Sequence, residues 1–239
     1  YARIQLTNLN YPTPDSPNPL TMLFRKHLDG GYIKAVKQIE LDRICHIIFG
    51  SYNEFGDYVE YNCYIEIMGK HSNIILCNHE NKIIDCLKRI TPNINSERFI
   101  QPGAIYRLPP MNGNKVNPFT SDFIENNNLT KVYQGMSPIL SKEIIYRHDN
   151  GDDFKNIMQE LNSSETIYIS KVDDREYFHL IPLTHLNVEP VSYPLFEGLD
   201  QHFNLIDQKE RIKQQTSNLT KYIQNEYQKN VNKIGRAHV

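Results

Sequence analysis

Asp42 and Arg43 stand side by side near the head of one apolar segment, and Glu66, Ile67 and Met68 close a second one. A guanidinium offers a planar fork of donors suited to phosphate or to base edges, and a carboxylate accepts from base amino groups. A methionine adds a polarizable surface against which a base can lie. Charges of this kind in segments otherwise built for burial admit two readings. One is a rim ion pair with a turn-forming Asp, worth little to stability. The other is a recognition site for a nucleic acid. Residue types alone leave both open. Successive residues of an extended strand point to opposite faces, so Asp42 and Arg43 could act on one ligand only where the strand bends at its start. Lys70 and His71 just beyond Met68, and Arg25 and Lys26 upstream, are candidate additional RNA contacts. The plainer reading of Arg25, Lys26 and His27 is a solvated helix flank.

Two stretches must position these groups. The run KAVKQIELDRICHIIF predicts strands over Tyr32–Gln38 and over residues 41–49, with a break at Glu40. The acidic-aromatic insert SYNEFGD follows as a loop. Val59, Tyr61, Cys63, Ile65 and Ile67 then alternate with Tyr58, Glu60, Asn62, Tyr64, Glu66 and Met68, a period-two pattern with one face in a core and one partly wet. Glu66 belongs to the polar set. Residues 69–73 make a turn, and strands at 73–77 and 83–87 flank the turn formers NHENK. Upstream, residues 2–6 read as a strand, followed by a connector with Pro12, Pro14, Pro17 and Pro19. Pro19 suits a first helical turn; Leu20, Leu23, Phe24 and Leu28 share a helix face, and Gly30-Gly31 stop it. The product is an antiparallel meander with one helix laid against it.

Pro92, Pro102, Pro109, Pro110 and Pro118 make the next segment irregular, the usual mark of a domain's end. From Phe119 short helices are expected in SDFIENN, LTKVYQ, SPILSKEIIYRH and DDFKNIMQEL. LTKVYQGMSPILSKEII is similar to a helix-hairpin-helix, with Gly135 in the hairpin, Ser137 and Ser141 at positions usually small, and Leu129, Val132, Ile139 and Ile144 as its small core. Such a hairpin can offer backbone N–H groups to a phosphate, and many copies are purely structural. A last hairpin around VDDR, over 166–170 and 176–181, leads to a polar helix. There Leu219, Ile223, Tyr227, Val231 and Ile234 recur every three or four residues, which reads as one arm of an antiparallel coiled coil. The fold class is therefore α+β: a β-rich part over 1–118, a helix-hairpin-helix-like region with its hairpin over 119–200, and a coiled-coil arm over 201–234. Residues 235–239 match one reading frame of a common sequencing adapter and are expected to be non-native. The absence of an initiator Met suggests that an upstream part is missing.

At 239 residues the chain can bury a substantial core. A formal net charge of −2 argues against indiscriminate polyanion binding and allows a local basic patch. Cys45, Cys63, Cys77 and Cys86 lack a CxxC spacing, and three lie in apolar strand-like runs, so they read as small buried hydrophobes of a reduced, cytoplasmic protein. No apolar run approaches the roughly 20 residues that span a bilayer. There is no phosphate-binding glycine loop, no zinc or nucleophile motif and no Cys/His cluster. Asp152-Asp153 and Asp173-Asp174 sit in turns, where Asp bonds its own backbone. Nothing commits the chain to catalysis, a metal or a cofactor.

The stretches NPLTMLFRKHLDGGYIKAVKQIELDRICHIIF, YIEIMGKHSNIIL, SERFIQPGAIYRLPP, QGMSPILSKEII and REYFHLIPLTHL together closely resemble the bacterial NFACT (RqcH-like) family, often labelled fibronectin- or fibrinogen-binding protein A. The resemblance covers the chain from about Asn18 to Lys233. It implies an amino-terminal domain similar to the front half of formamidopyrimidine-DNA glycosylases, then helix-hairpin-helix elements and a long coiled coil. It also implies a ribosome quality-control factor, without enzymatic activity of its own. Such a factor binds a large ribosomal subunit still holding peptidyl-tRNA and brings alanyl-tRNA, so that the nascent chain gains a C-terminal alanine tail. Asp42-Arg43 matches the family's tRNA-engaging Asp-Arg, and Glu66-Ile67-Met68 matches a triplet near the tRNA anticodon arm. The family's distal coiled coil and carboxy-terminal domain have no counterpart in this sequence. Two other readings are a surface adhesin for a host matrix protein such as fibronectin or fibrinogen, and a DNA glycosylase relative whose catalytic amino terminus and zinc finger are not seen here.

Overall fold

The computed structural model describes residues 2–11, 16–95, 97–110 and 113–237, with the backbone alone at 215 and 233–237. Pro12, Pro14 and the rest of 12–15 lie outside it. The first helix, α1 (Pro19–Leu28), is capped as its sequence dictates: the Asn18 side chain accepts from the Thr21 N–H, and Pro19 takes the position where no N–H is missed. Gly30, at φ +73, turns the chain back into the sheet.

Five strands follow as an antiparallel meander in sequence order: β1 (Tyr32–Gln38), β2 (Ile44–Tyr52), β3 (Tyr58–Glu66), β4 (Asn73–Asn78) and β5 (Ile83–Cys86). The β2–β3 register sets Ile44 opposite Glu66, His46 opposite Tyr64 and Ile47 opposite Cys63. α1 lies on the face that carries Tyr61, where His27 Nδ1 meets Tyr61 Oη at 3.1 Å. The face carrying Tyr64 and Glu66 is covered by the irregular chain after β5, and the core there joins Ile44, Tyr64, Ile75, Cys77, Ile83, Cys86, Ile100 and Tyr106. Alternation had placed Glu66 on the wet side. It is instead 2% exposed, because residues 90–106 fold over that face and make it a second interior. Cys63, Cys77 and Cys86 are buried and unpaired, and burial pushes the Cys63 and Cys77 thiols up to about 12.

The second half packs around Leu129, Tyr133, Leu140, Ile144, Phe154, Ile157, Met158 and Ile181. It comprises α2 (Pro138–Asp149), α3 (Phe154–Ser163) and a three-stranded sheet ordered β7 (Arg175–His179), β6 (Thr166–Val172) and β8 (Val191–Pro194). Leu140, rather than Ile139, is the buried residue at the start of α2. Two expected helices do not form. In SDFIENN the Tyr133 hydroxyl accepts from the Ile124 N–H and donates to the Asp122 carbonyl, so the backbone groups a helix would pair are taken. LTKVYQ keeps only a single tight turn at Leu129–Lys131. β8 has no counterpart in the sequence reading, and its pairing with β6 closes the sheet against α4 (Leu195–Ala237).

Residues 2–6 form no strand. The polar side chains here bind the root of α4 instead: Arg3 ion-pairs with Asp207, Gln5 Nε2 donates to Asp200 Oδ1 at 2.7 Å, and the next residue but one, Thr7, donates through Oγ1 to the same oxygen at 2.6 Å. A strand would need a sheet edge to pair with; this segment has a helix beside it. Farther along α4, Leu219, Ile223, Tyr227 and Val231 are exposed, while the Ile234 side chain lies outside the description. The backbone is helical through Ala237, and His238 and Val239, the end of the tail expected to be non-native, are outside the described residues. No described helix is long and apolar enough to cross a membrane.

Candidate nucleic-acid interface

The β1–β2 connection spans Ile39 to Arg43 and is closed by two backbone bonds, Ile39 N–H to the Ile44 carbonyl and Asp42 N–H to the Ile39 carbonyl, both 3.0 Å. Glu40 absorbs the reversal at φ +47, a left-handed conformation few side chains adopt. Asp42 and Arg43 therefore lie in a turn rather than in the strand expected over 41–49. This removes the parity problem: residues of a turn need not point to opposite faces. One Asp42 carboxylate oxygen accepts from the Arg43 N–H at 2.7 Å, and the Gln38 amide donates to the Asp42 carbonyl at 2.9 Å, so the loop is held from both sides.

The Ile67 N–H donates to the Arg43 carbonyl at 2.8 Å, extending the β2–β3 ladder by one rung and tying the two motifs together. Met68 then leaves the strand. Its N–H is held by Ser72 Oγ at 2.9 Å, above the short turn Gly69–His71.

These pieces form one wall of a cleft of about 540 Å³. Glu40, Leu41, Asp42, Arg43 and Met68 line it from the meander; Pro109, Pro110 and Lys115 line it from the connecting segment; Gln134 to Pro138 line it from the start of α2. Ser137 caps α2, its hydroxyl accepting from the Leu140 N–H at 3.2 Å, and Gly135 makes the preceding turn at φ +65. The positive end of the α2 dipole thus faces the same space as Arg43 and Lys115, while Pro138 has no N–H and those of Leu140 and Ser141 are held by Ser137. Two acidic and two basic side chains line the cleft. That balance suits a ligand read by discrete contacts better than a bare polyanion.

Of the residues singled out by sequence, Asp42, Arg43 and Met68 meet in the cleft. Ile67 supports it through its backbone. Glu66 does not reach it. Its carboxylate is ion-paired with Arg98 and accepts from the Tyr106 hydroxyl at 2.8 Å, with Arg98 13% exposed and Glu66 2%. Arg98 also donates through Nε to the Arg107 carbonyl at 2.8 Å. Burial and the adjacent Glu66 carboxylate push the Tyr106 phenol far up, so it stays a donor. This clamp fixes the segment leading to Pro109 and Pro110 against the end of β3, two residues before Met68. Lys70 and His71 are exposed on the turn after Met68, and Arg25 and Lys26 are exposed on α1; none of the four lines the cleft. Among the described residues, no group of three or more His, Cys, Asp or Glu could hold a metal ion.

Sequence reasoning missed Lys115, Pro109, Pro110, Gln134 and Met136 as lining residues, and Arg98 as the partner of Glu66. A signal existed for the last: a lone Glu in an apolar strand calls for a buried cation somewhere in the chain.

The family model for the NFACT N-terminal and middle domains matches residues 1–238. The chain is 35% identical over 255 residues to the Rqc2 homolog RqcH of Bacillus subtilis, covering 98% of this chain and 45% of that protein. It is 31% identical over 97 residues to the human ribosome quality control complex subunit NEMF, covering 41% of this chain and 8% of that one. Among solved structures, the fibrinogen binding protein from Staphylococcus aureus superposes with a TM-score of 0.72 at 31% identity, over 85% of this chain and 79% of that one. The mixed α+β architecture with antiparallel sheets is shared with it. The chain spans less than half the length of the Bacillus relative.

Proposed function

The chain belongs to the NFACT N-terminal and middle domain family, and on that premise we propose that it is the tRNA-engaging part of a cytoplasmic ribosome quality-control factor. In this reading it binds alanyl-tRNA and helps present it to a large ribosomal subunit that holds peptidyl-tRNA, in support of C-terminal alanine tailing. It is a binding module and not an enzyme. The observation that carries the reading is the convergence of Asp42, Arg43 and Met68 with Lys115 and the capped start of α2 on one cleft. Arg43 has the donor fork for a phosphate or a guanine edge, Asp42 keeps one carboxylate oxygen beyond its bond to the Arg43 N–H, and Met68 gives an apolar surface for a base. The helix-hairpin-helix likeness around Gly135 fits a phosphate seated at the start of α2. In the same reading the exposed stripe of α4 pairs with a second coiled-coil arm.

Titration of the full-length protein with alanyl-tRNA over a range of salt concentration tests this. Binding through a few phosphates gives a log–log salt slope of only about −0.7 to −0.9 per phosphate contacted, and base reading gives a preference for one tRNA over others. Affinity that ignores both salt and tRNA identity would contradict the reading. The second reading, adhesion to fibronectin or fibrinogen, draws on what the staphylococcal structure is called. No residue arrangement in the cleft speaks for it.

A further inference from the structure

The acidic-aromatic insert between β2 and β3 takes no part in the cleft. It lies at the far end of two nine-residue strands from Arg43 and Met68, about 30 Å away at the usual rise per residue. Its tip is a built turn. The Asn53 N–H donates to the Asp57 carbonyl and the Gly56 N–H to the Asn53 carbonyl, both at 2.9 Å. Asn53 Oδ1 accepts from the N–H groups of Phe55 and Asp57, each at 2.9 Å, while Gly56 supplies φ +84. The turn holds Phe55 with 90% of its surface in water.

Phe55 has aromatic company. Tyr52 and Tyr58 are 67% and 44% exposed, and their rings meet edge-on at 5.9 Å. Tyr32, 53% exposed, brings its hydroxyl to 3.4 Å from that of Tyr58. The two side chains close over Gly50, where an added Cβ would strike the Tyr32 ring at 2.8 Å. Exposed aromatic groups gathered on a hydrogen-bonded turn mark contact surfaces, because each buries a large area when a partner covers it.

Charge selects the partner. Residues 52–60 contain Glu54, Asp57 and Glu60 and no basic residue. Glu60 is ion-paired with Lys34, while Glu54 and Asp57 are exposed and make no ion pair among the described residues. A phosphate backbone would be repelled here. An arginine is attracted twice, by the carboxylates and by the ring faces. We propose that the 52–58 hairpin, with Tyr32 beside it, is a docking surface for an arginine-bearing basic segment of a partner protein. The proposal is independent of what occupies the cleft.

The test uses the chain and a fluorescein-labelled peptide alternating Arg and Ser, with its Lys/Ser counterpart and a single-stranded oligouridylate as comparison probes. The Arg peptide binds, the Lys peptide binds more weakly, and F55A or Y52A lowers Arg-peptide affinity about tenfold. The double substitution Glu54→Gln/Asp57→Asn lowers it too and flattens its salt dependence. All four side chains changed at the tip are exposed, and an unchanged melting temperature confirms folding. Arg-peptide binding that is absent, or equal in the F55A and parent chains, overturns the proposal. So does oligouridylate binding that F55A abolishes, which would make the hairpin a base-stacking surface.

Discussion

Gly135 lies so close to Leu41 that a Cβ built on it would sit 3.1 Å from both the Leu41 Cβ and the Leu41 carbonyl oxygen. Here the hairpin before α2 meets the loop that carries Asp42 and Arg43, so the two halves of the chain touch where their sides of the cleft join. Gly135 is also at φ +65, where a side chain is strained whatever the space. Gly135→Ala is expected to destabilise the fold by about 1–3 kcal/mol and to move the Leu41–Arg43 loop. Urea denaturation reads the first effect and tRNA affinity the second. An alanine variant as stable and as tight-binding as the parent would show that this contact positions nothing.

The clamp under the cleft makes a different forecast. Arg98→Ala leaves the Glu66 carboxylate buried with only the Tyr106 hydroxyl for company and should cost about 3–5 kcal/mol. Glu66→Gln keeps an acceptor for Tyr106 and should cost clearly less. Denaturant midpoints decide the order. If Glu66→Gln proves harmless to stability yet destroys tRNA binding, Glu66 touches the ligand and the clamp is secondary.

Acid should lower the stability of the fold over two ranges of pH. Burial holds the His179 imidazole below its ordinary value of 6.5, against the pull of Glu143, and burial with Lys26 does the same to His27. The folded state thus takes up these protons at lower pH than the unfolded chain, so stability present above pH 6.5 falls as pH drops through that value. Glu143 is buried, which alone would raise its pKa, but bonds from the His185 N–H at 3.0 Å, the Thr184 hydroxyl at 2.6 Å and the His185 ring at 2.6 Å more than offset this and hold it low. Its contribution is complete above 4.5 and is lost as pH falls below. Melting temperatures from pH 7.5 to pH 3.5 should show both limbs. His179→Leu should flatten the upper limb and Glu143→Gln the lower.

Strands were legible because alternation is local. Tyr58 to Met68 reads as one from its own residues, and the meander follows from short turns such as NHENK. Which face of β3 is buried is not local. Tyr64 and Glu66 face inward only because a segment some thirty residues later folds over them and brings Arg98 and Tyr106. The turn at Asp42-Arg43 was hidden for a similar reason: Leu41 and Ile44 look like one strand until Glu40 adopts its left-handed conformation. β8 depends on pairing with β6 across the intervening strand β7, one short helical turn and a loop, which no window of sequence carries. Asp42, Arg43 and Met68 were visible as residue types in motifs. Their meeting with Lys115 and Gly135 was not, since it comes from packing one half of the chain on the other.

Whether the Asp42-Arg43 turn engages tRNA is decided by tRNA recovery on purified large ribosomal subunits by the full-length protein carrying Asp42→Ala and Arg43→Ala together. Both side chains sit in a surface turn, so circular dichroism and melting temperature should stay at parent values. tRNA recovery is expected to disappear from this folded variant. Recovery at the parent level from the same well-folded double mutant would contradict it.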